Sequence, residues 1–179
     1  MLEKLFFKKK KLNILKDNNS NWMFYYLSKI FKFNKENQTN SYYIISDCDG
    51  VLTDGGHYYD QNGKLFKKYG SGDSEIIKSI LKNFQNINFI FVTNDKFGSK
   101  ITKSRVMDIT NNLETHNSMF IENINAIERI NLINKIKSEN NNSKILYIGD
   151  SLSDIIVLSS SDYSCCPKNA NKEVYKYCD

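Results

Sequence analysis

Three short apolar runs limit what this chain can fold into: YYIIS at 42–46, INFIFVT at 87–93 and KILYIG at 144–149. Each is shorter than an ordinary helix and continuously apolar, so each reads as a strand buried on both faces. Between them lie segments with helical spacing. DSEIIKSILKNF (73–84) carries Ile76, Ile77, Ile80 and Leu81. SKITKSRVMDIT (99–110) carries Ile101, Val106 and Ile109, and NAIERINLINKIK (125–137) places Ile127, Ile130, Ile133 and Ile136 along one face. SMFI (118–121) and DYSCC (162–166) read as further strands, SDIIVLS (153–159) opens a helix, and NANKEVYKY (169–177) reads as a last helix. Strands alternating with helices predict an α/β domain around a mostly parallel sheet. One hairpin interrupts the pattern: GHYYDQNGKLFKKY (56–69) has two β-prone arms around Asn62-Gly63.

A length of 179 residues suits one domain plus an appendage. The polar stretch NKENQTN (34–40) divides a segment 1–40 from a body 41–179. Segment 1–40 holds nine lysines against Glu3, Asp17 and Glu36, so the net charge of +5 resides there and the body is close to neutral. We read it as a packed or poorly ordered extension, because Asn-rich breaks at 18–21 and 37–40 interrupt any continuous basic helix for a membrane surface. A near-neutral body argues against nucleic acid as a partner. No apolar run approaches the roughly 18 residues of a membrane span, and no secretory pattern opens the chain. Cys48, Cys165, Cys166 and Cys178 lack C-x-x-C spacing and read as free thiols in a reducing cytosol, hence a cytoplasmic protein.

Chemistry-bearing residues gather where the strands end. Asp47 and Asp49 flank Cys48, Thr93 and Asn94 close the second run, and Asp150 and Asp154 follow the third. In parallel sheets, ligands bind beyond the carboxyl ends of the strands. Carboxylates that converge there need a counter-charge, and Mg²⁺ supplies it with oxygen ligands at about 2.0–2.1 Å. A carboxylate beside that cation attacks phosphorus. A second one protonates the leaving oxygen and then activates water. Gly50 and the amides after it suit phosphate oxygens. A calcium loop would demand another acid near position 58, where Tyr58 stands.

DCDGVLTDGG (47–56) resembles the first motif of haloacid-dehalogenase (HAD)-type phosphatases, FVTND (91–95) the second and YIGDSLSD (147–154) the fourth; the likeness covers about residues 42–178. The hairpin, GSGDSEIIKSI (70–80) and CCPKNANKEVYKY (165–177) resemble the 3-deoxy-D-manno-octulosonate 8-phosphate phosphatase group. The resemblance implies a Rossmannoid three-layer HAD-like fold with a hairpin after the first strand and no large cap. It implies a hydrolase of a small phosphorylated sugar acid of lipopolysaccharide biosynthesis, working with Mg²⁺ through an aspartyl-phosphate. It also implies a homotetramer whose hairpins and neighbouring subunits help close the site. Related modules occur beside cytidylyltransferases, so a second reading is a catalytically weak or inactive module serving assembly with a sugar-nucleotide enzyme.

Carried over by position, Asp47 is the nucleophile and a metal ligand. Asp49 is the general acid/base, with its backbone carbonyl on the metal. Thr93, Asn94 and Gly50 bind phosphate, Asp150 is a metal ligand, and Asp154 supports the metal's water shell or orients a basic residue. Asp54 and Asp73 match acidic positions with structural or substrate-contacting roles. The third-motif lysine is absent from the start of the 125–137 helix; Arg129 is expected in its place, with Lys135 the alternative. Ser151 stands where many relatives have a second aspartate, and the sequence ends at VYKYCD where the group commonly continues into a Gly-rich tail. His57 and His116 are expected in surface or structural roles.

Overall fold

The computed structural model describes residues 40–70, 72–110 and 117–179. The extension expected over 1–40 lies outside them except for Asn40, as does His116. In chain order come β1 (Tyr42–Asp47), β2 (Tyr58–Asp60), β3 (Gly63–Phe66), α1 (Gly72–Asn83), β4 (Ile87–Thr93), α2 (Ser99–Thr110), β5 (Ser118–Glu122), α3 (Ala126–Glu139), β6 (Lys144–Ile148), α4 (Ile155–Ser160) and β7 (Tyr163–Cys165). Short 3₁₀ turns cover Leu152–Asp154 and Val174–Tyr177.

Five strands form one parallel sheet in the order β5-β4-β1-β6-β7. The chain runs from β1 outward through β4 to β5, then crosses back to β6 on the other side of β1. The order therefore reverses at β1, which opens a crevice beyond its carboxyl end. Period-2 alternation explains why the central runs are wholly apolar. Ile44, Phe89, Phe91, Leu146 and Ile148 pack under α1 and α2 with Ile77, Leu81 and Val106. Ile45, Ile90, Val92, Ile145 and Tyr147 pack under α3 and α4 with Ile133, Ile136, Val157 and Leu158. Both faces are covered along the length of these strands, and only positions near their starts, Tyr43, Asn88 and Lys144, are part-exposed. Truncating one core residue, Ile77→Ala for instance, costs about 2–5 kcal/mol.

Among the described residues, only the β2–β3 hairpin and its loops separate β1 from α1. The turn differs from the expected one. Gln61 and Asn62 form the connection, Asp60 Oδ1 accepts the Asn62 N–H at 2.8 Å, and Gly63 takes the positive φ of 121° as the first residue of β3. Asn62 is not in the left-handed region, so the glycine's freedom is used one position after the turn.

Two other expectations fail. Ile127 is 66% exposed, and the buried face of α3 runs through Arg129, Ile133 and Ile136. The spacing i, i+3 drifts around a 3.6-residue helix, so four such positions cannot all face one way. The helix expected over 169–177 is only the 3₁₀ turn at Val174–Tyr177, which buries Val174 against the α3/α4 layer.

Candidate active site

β1 ends on Asp47, whose carboxylate lies in the crevice at 8% exposure. Its Oδ1 accepts the Cys48 N–H at 2.8 Å and the Arg129 Nη2 at 3.3 Å. The chain then turns tightly, with the Leu52 N–H and Thr53 N–H both donating to the Cys48 carbonyl. Gly50 allows this turn in two ways. Its φ is +79°, and a Cβ there would lie 1.9 Å from Asp150 Oδ2. Its N–H donates to Thr53 Oγ1 at 3.0 Å, and its carbonyl accepts from Asn169 Nδ2 at 2.8 Å. The late segment after β7 is thus tied to the first loop.

β4 ends on Thr93, whose hydroxyl donates to Asp49 Oδ2 at 3.3 Å and accepts the Asp95 N–H at 3.1 Å. Asn94, the next residue, is exposed. β6 leads into Asp150 and a 3₁₀ turn carrying Asp154, which is fully buried. Asp154 Oδ2 accepts from the amides of Asp150 (3.2 Å) and Ser151 (3.0 Å) and from Ser151 Oγ (2.7 Å). Its Oδ1 accepts from Tyr147 Oη (2.7 Å) and Arg129 Nη1 (2.8 Å). Five donors saturate this carboxylate, so it fixes the loop that presents Asp150 and sets the direction of Arg129. Ser151 is one of its donors through both its amide and its hydroxyl.

Arg129 enters from the first turns of α3 at 5% exposure. Asn125 caps this helix, accepting the N–H of Ile127 and Glu128, and Glu128 returns to the Asn125 N–H. Arg129 Nε donates to the Ile124 carbonyl at 3.1 Å, which leaves its two terminal nitrogens for Tyr147, Asp154 and Asp47. Lys135 is elsewhere: it is exposed and pairs with Glu139 at 3.8 Å. Asp54 is exposed and accepts the Gly56 N–H, whereas Asp73 is 2% exposed.

The electrostatics of this cluster are unbalanced. Asp47, Asp150 and Asp154 each offer an oxygen within 4.8 Å of the others, and Arg129 is the cation placed among them. Burial first, then Asp154 and Asp150 against the opposing pull of Arg129, pushes the Asp47 carboxyl up to about 7. Burial and then Asp154 push Asp150 up to about 6. Burial alone would depress the guanidinium of Arg129, but Asp47, Tyr147 and Asp154 reverse this and hold it above the ordinary arginine value. With all three carboxylates ionised, the one guanidinium leaves a charge of about −2, which a single divalent cation balances. The donor set is all oxygen, as Mg²⁺ requires. The residues therefore fit that ion, with Asp47 and Asp150 holding oxygens not consumed as those of Asp154 are.

Several residues here carried no expectation of a role. Lys67 follows β3 and is 7% exposed. Its Nζ lies 2.7 and 2.9 Å from the two oxygens of Asp49, 2.8 Å from Asp95 Oδ2 and 2.8 Å from Thr102 Oγ1. Lys64 also pairs with Asp95. Burial would raise the Asp95 carboxyl, but Lys64 and Lys67 hold it below the usual range. Burial would lower the Lys67 pKa, and Asp49 and Asp95 turn this into a rise. His57 joins the group, with a ring nitrogen within 4.8 Å of carboxylate oxygens of Asp49 and Asp95. Tyr147 was legible only as a strand residue. Lys67 could not be told from Lys68 in the sequence, because the register of the second hairpin arm is set by a tertiary bridge. Tyr69 bridges to Thr53, so Lys67, two residues earlier, shares its inward side while Lys68 faces solvent.

No protein-family model matches the chain. Solved structures do. The cobalt-bound deoxy-D-mannose-octulosonate 8-phosphate phosphatase of Haemophilus influenzae matches at 24% identity over 76% of this chain and 74% of that one, with a TM-score of 0.61. The 3-deoxy-D-manno-octulosonate 8-phosphate phosphatase of Moraxella catarrhalis, in complex with magnesium, phosphate and KDO, matches at 16% identity over 86% and 80%, TM-score 0.61. A HAD superfamily (subfamily III A) hydrolase structure from Legionella pneumophila matches at 18% identity over 89% and 79%, TM-score 0.61. These likenesses establish that the chain has the HAD hydrolase fold.

Proposed function

We propose that this chain is a Mg²⁺-dependent phosphomonoesterase that hydrolyses a small phosphorylated sugar acid through an aspartyl-phosphate on Asp47. The observation that carries the reading is the convergence of Asp47, Asp49, Thr93, Arg129 and Asp150 in one crevice where the strand order reverses. The substrate class is supported by the Moraxella relative, whose structure holds magnesium, phosphate and KDO together.

Asp47 Oδ1 is held by the Cys48 amide and Arg129, so Oδ2 is the oxygen that attacks phosphorus. As the new O–P bond forms, the ester O–P bond breaks and Asp49 gives its proton to the departing sugar oxygen. Asp49, now a carboxylate, takes a proton from the water that attacks the acyl-phosphate. Inorganic phosphate leaves and the Asp47 carboxylate is restored. The Thr93 hydroxyl, the Asn94 amide and the Gly50 loop take the phosphate oxygens. Arg129 keeps the nucleophile pointed, and Asp154 keeps Arg129 pointed. Asp47, Asp150 and the Asp49 backbone carbonyl would hold Mg²⁺, which when bound neutralises charge on the carboxylates and the phosphoryl oxygens.

We extend the proposal to a cytoplasmic homotetramer in which the body 41–179 carries the activity and 1–40 is an extension. The exposed Tyr58, Tyr59, Leu65 and Phe66 of the hairpin support a subunit contact there. A second reading, a module without turnover that serves assembly with a sugar-nucleotide enzyme, is favoured by one feature: Arg129 already engages the nucleophile. Phosphate release decides between them. The full chain with Mg²⁺ is expected to release phosphate from 3-deoxy-D-manno-octulosonate 8-phosphate and more slowly from p-nitrophenyl phosphate, and Asp47→Asn to abolish both. Metal binding with no turnover on a panel of sugar phosphates overturns the first reading; full activity in Asp47→Asn overturns the mechanism.

A further inference from the structure

The group formed by Asp49, His57 and Asp95 has the look of a second cation site. It already contains its cation. Lys67 Nζ sits between Asp49 and Asp95 and also reaches Thr102, so its three N–H donors meet three acceptors. The seat is built for it. The Thr102 hydroxyl is anchored to the Gly98 carbonyl at 3.2 Å, and the Gly98 N–H caps Asp95 Oδ1 at 3.0 Å. A Cβ on Gly98 would fall 2.6 Å from Lys67 Cε and 2.8 Å from Lys64 Cδ, so glycine is what lets both lysines pass. Asp49 is therefore gripped from two sides: Thr93 Oγ1 from the sheet and Lys67 from the hairpin arm.

We propose that Lys67 is a positioning residue, delivered by the hairpin, that holds the Asp49 carboxyl toward the leaving oxygen and stabilises the carboxylate that remains once Asp49 has given that oxygen its proton. This rests on the phosphatase reading above. Lys67 bonds Asp49, Asp95 and Thr102, not Asp47 or Arg129, so its effect falls on the proton-transfer half of the reaction and not on nucleophilic attack. Asp95 in turn holds Lys67, and Lys64 holds Asp95. The leaving-group side of the site is thus wired to the hairpin, whereas the nucleophile side is wired to α3 and the Asp154 turn.

Leaving-group dependence separates this role from a merely structural one. First-turnover rates are measured with 2,4-dinitrophenyl phosphate, whose phenolate departs without a proton, and with an alkyl phosphate, whose alkoxide needs one. General acid assistance is worth on the order of 10²–10⁴-fold. Lys67→Met is expected to raise the aryl-to-alkyl rate ratio at least tenfold over the wild-type ratio. Lys67→Arg is expected to bring it back toward wild type. Thermal melts check the fold, and if Lys67→Met does not fold, Asp95→Asn is read by the same ratio, with a smaller rise expected. Equal losses on both substrates, or no change in the ratio, overturn the positioning role while leaving the phosphatase reading intact. No turnover of any ester by the wild-type chain overturns both.

Discussion

Replacing Arg129 by methionine tests the electrostatic account of the site most directly. The guanidinium is 5% exposed and bonds the Ile124 carbonyl, Tyr147, Asp154 and Asp47. Methionine fills much of the space but satisfies none of these groups. Asp154, at 0% exposure, loses its cation while keeping its amide and hydroxyl donors. Breaking a buried ion pair from one side costs about 3–5 kcal/mol. For a domain of this size that is a fall in Tm of about 10 °C. The cost depends on pH in a definite direction. Asp47 in the wild type titrates at about 7, so at pH 8 it is ionised and draws on Arg129, whereas at pH 5.5 it carries a proton and does not. The destabilisation is therefore larger at pH 8 than at pH 5.5. Urea unfolding followed by circular dichroism, in EDTA so that no divalent ion substitutes for the lost charge, measures both values. A loss below about 1 kcal/mol at pH 8, or an equal loss at the two pH values, refutes the reasoning.

Stabilisation by Mg²⁺ should grow with pH. The Asp47 and Asp150 carboxyls are raised from 3.8 to about 7 and about 6, so between pH 4 and 7 the metal-free fold binds protons that the unfolded chain has released. Its stability therefore falls as pH rises through that window. A cation that replaces those protons recovers it, worth about 2.7 kcal/mol at a concentration one hundred times its Kd. The Tm gap between Mg²⁺ and EDTA samples should widen from pH 5.5 to pH 8, and a constant gap would count against the acidic cluster as the metal site. Gly50→Ala combines a φ of +79° with a Cβ 1.9 Å from Asp150 Oδ2. It should weaken Mg²⁺ binding, read by isothermal titration, by tenfold or more; unchanged affinity would show that Asp150 does not hold the ion.

The strand ends were legible because burial on both faces imposes a simple code. Runs such as INFIFVT must be strands of a covered parallel sheet, and the structure has β4 at Ile87–Thr93. The sheet then places Asp47, Thr93 and Asp150 at one rim whatever the loops do. Arg129 was legible only through the empty third-motif position. The periodicity of α3 had assigned the core face partly to Ile127, which is exposed, and gave a buried arginine no place. Lys67 and Lys68 are chemically identical in the sequence, and a one-residue shift of register would exchange them.

By itself, the sequence determined the α/β class, the parallel strands, the hairpin and the acids at the strand ends, because local periodicity and apolar content act over a few residues at a time. Only the tertiary structure decided which cation meets which carboxylate. Arg129 reaches Asp47 across 82 positions and Lys67 reaches Asp49 across 18. Buried charge must be matched at contact distance, and contact between such separated residues is set by how helices and hairpin dock on the sheet, not by any pattern along the chain.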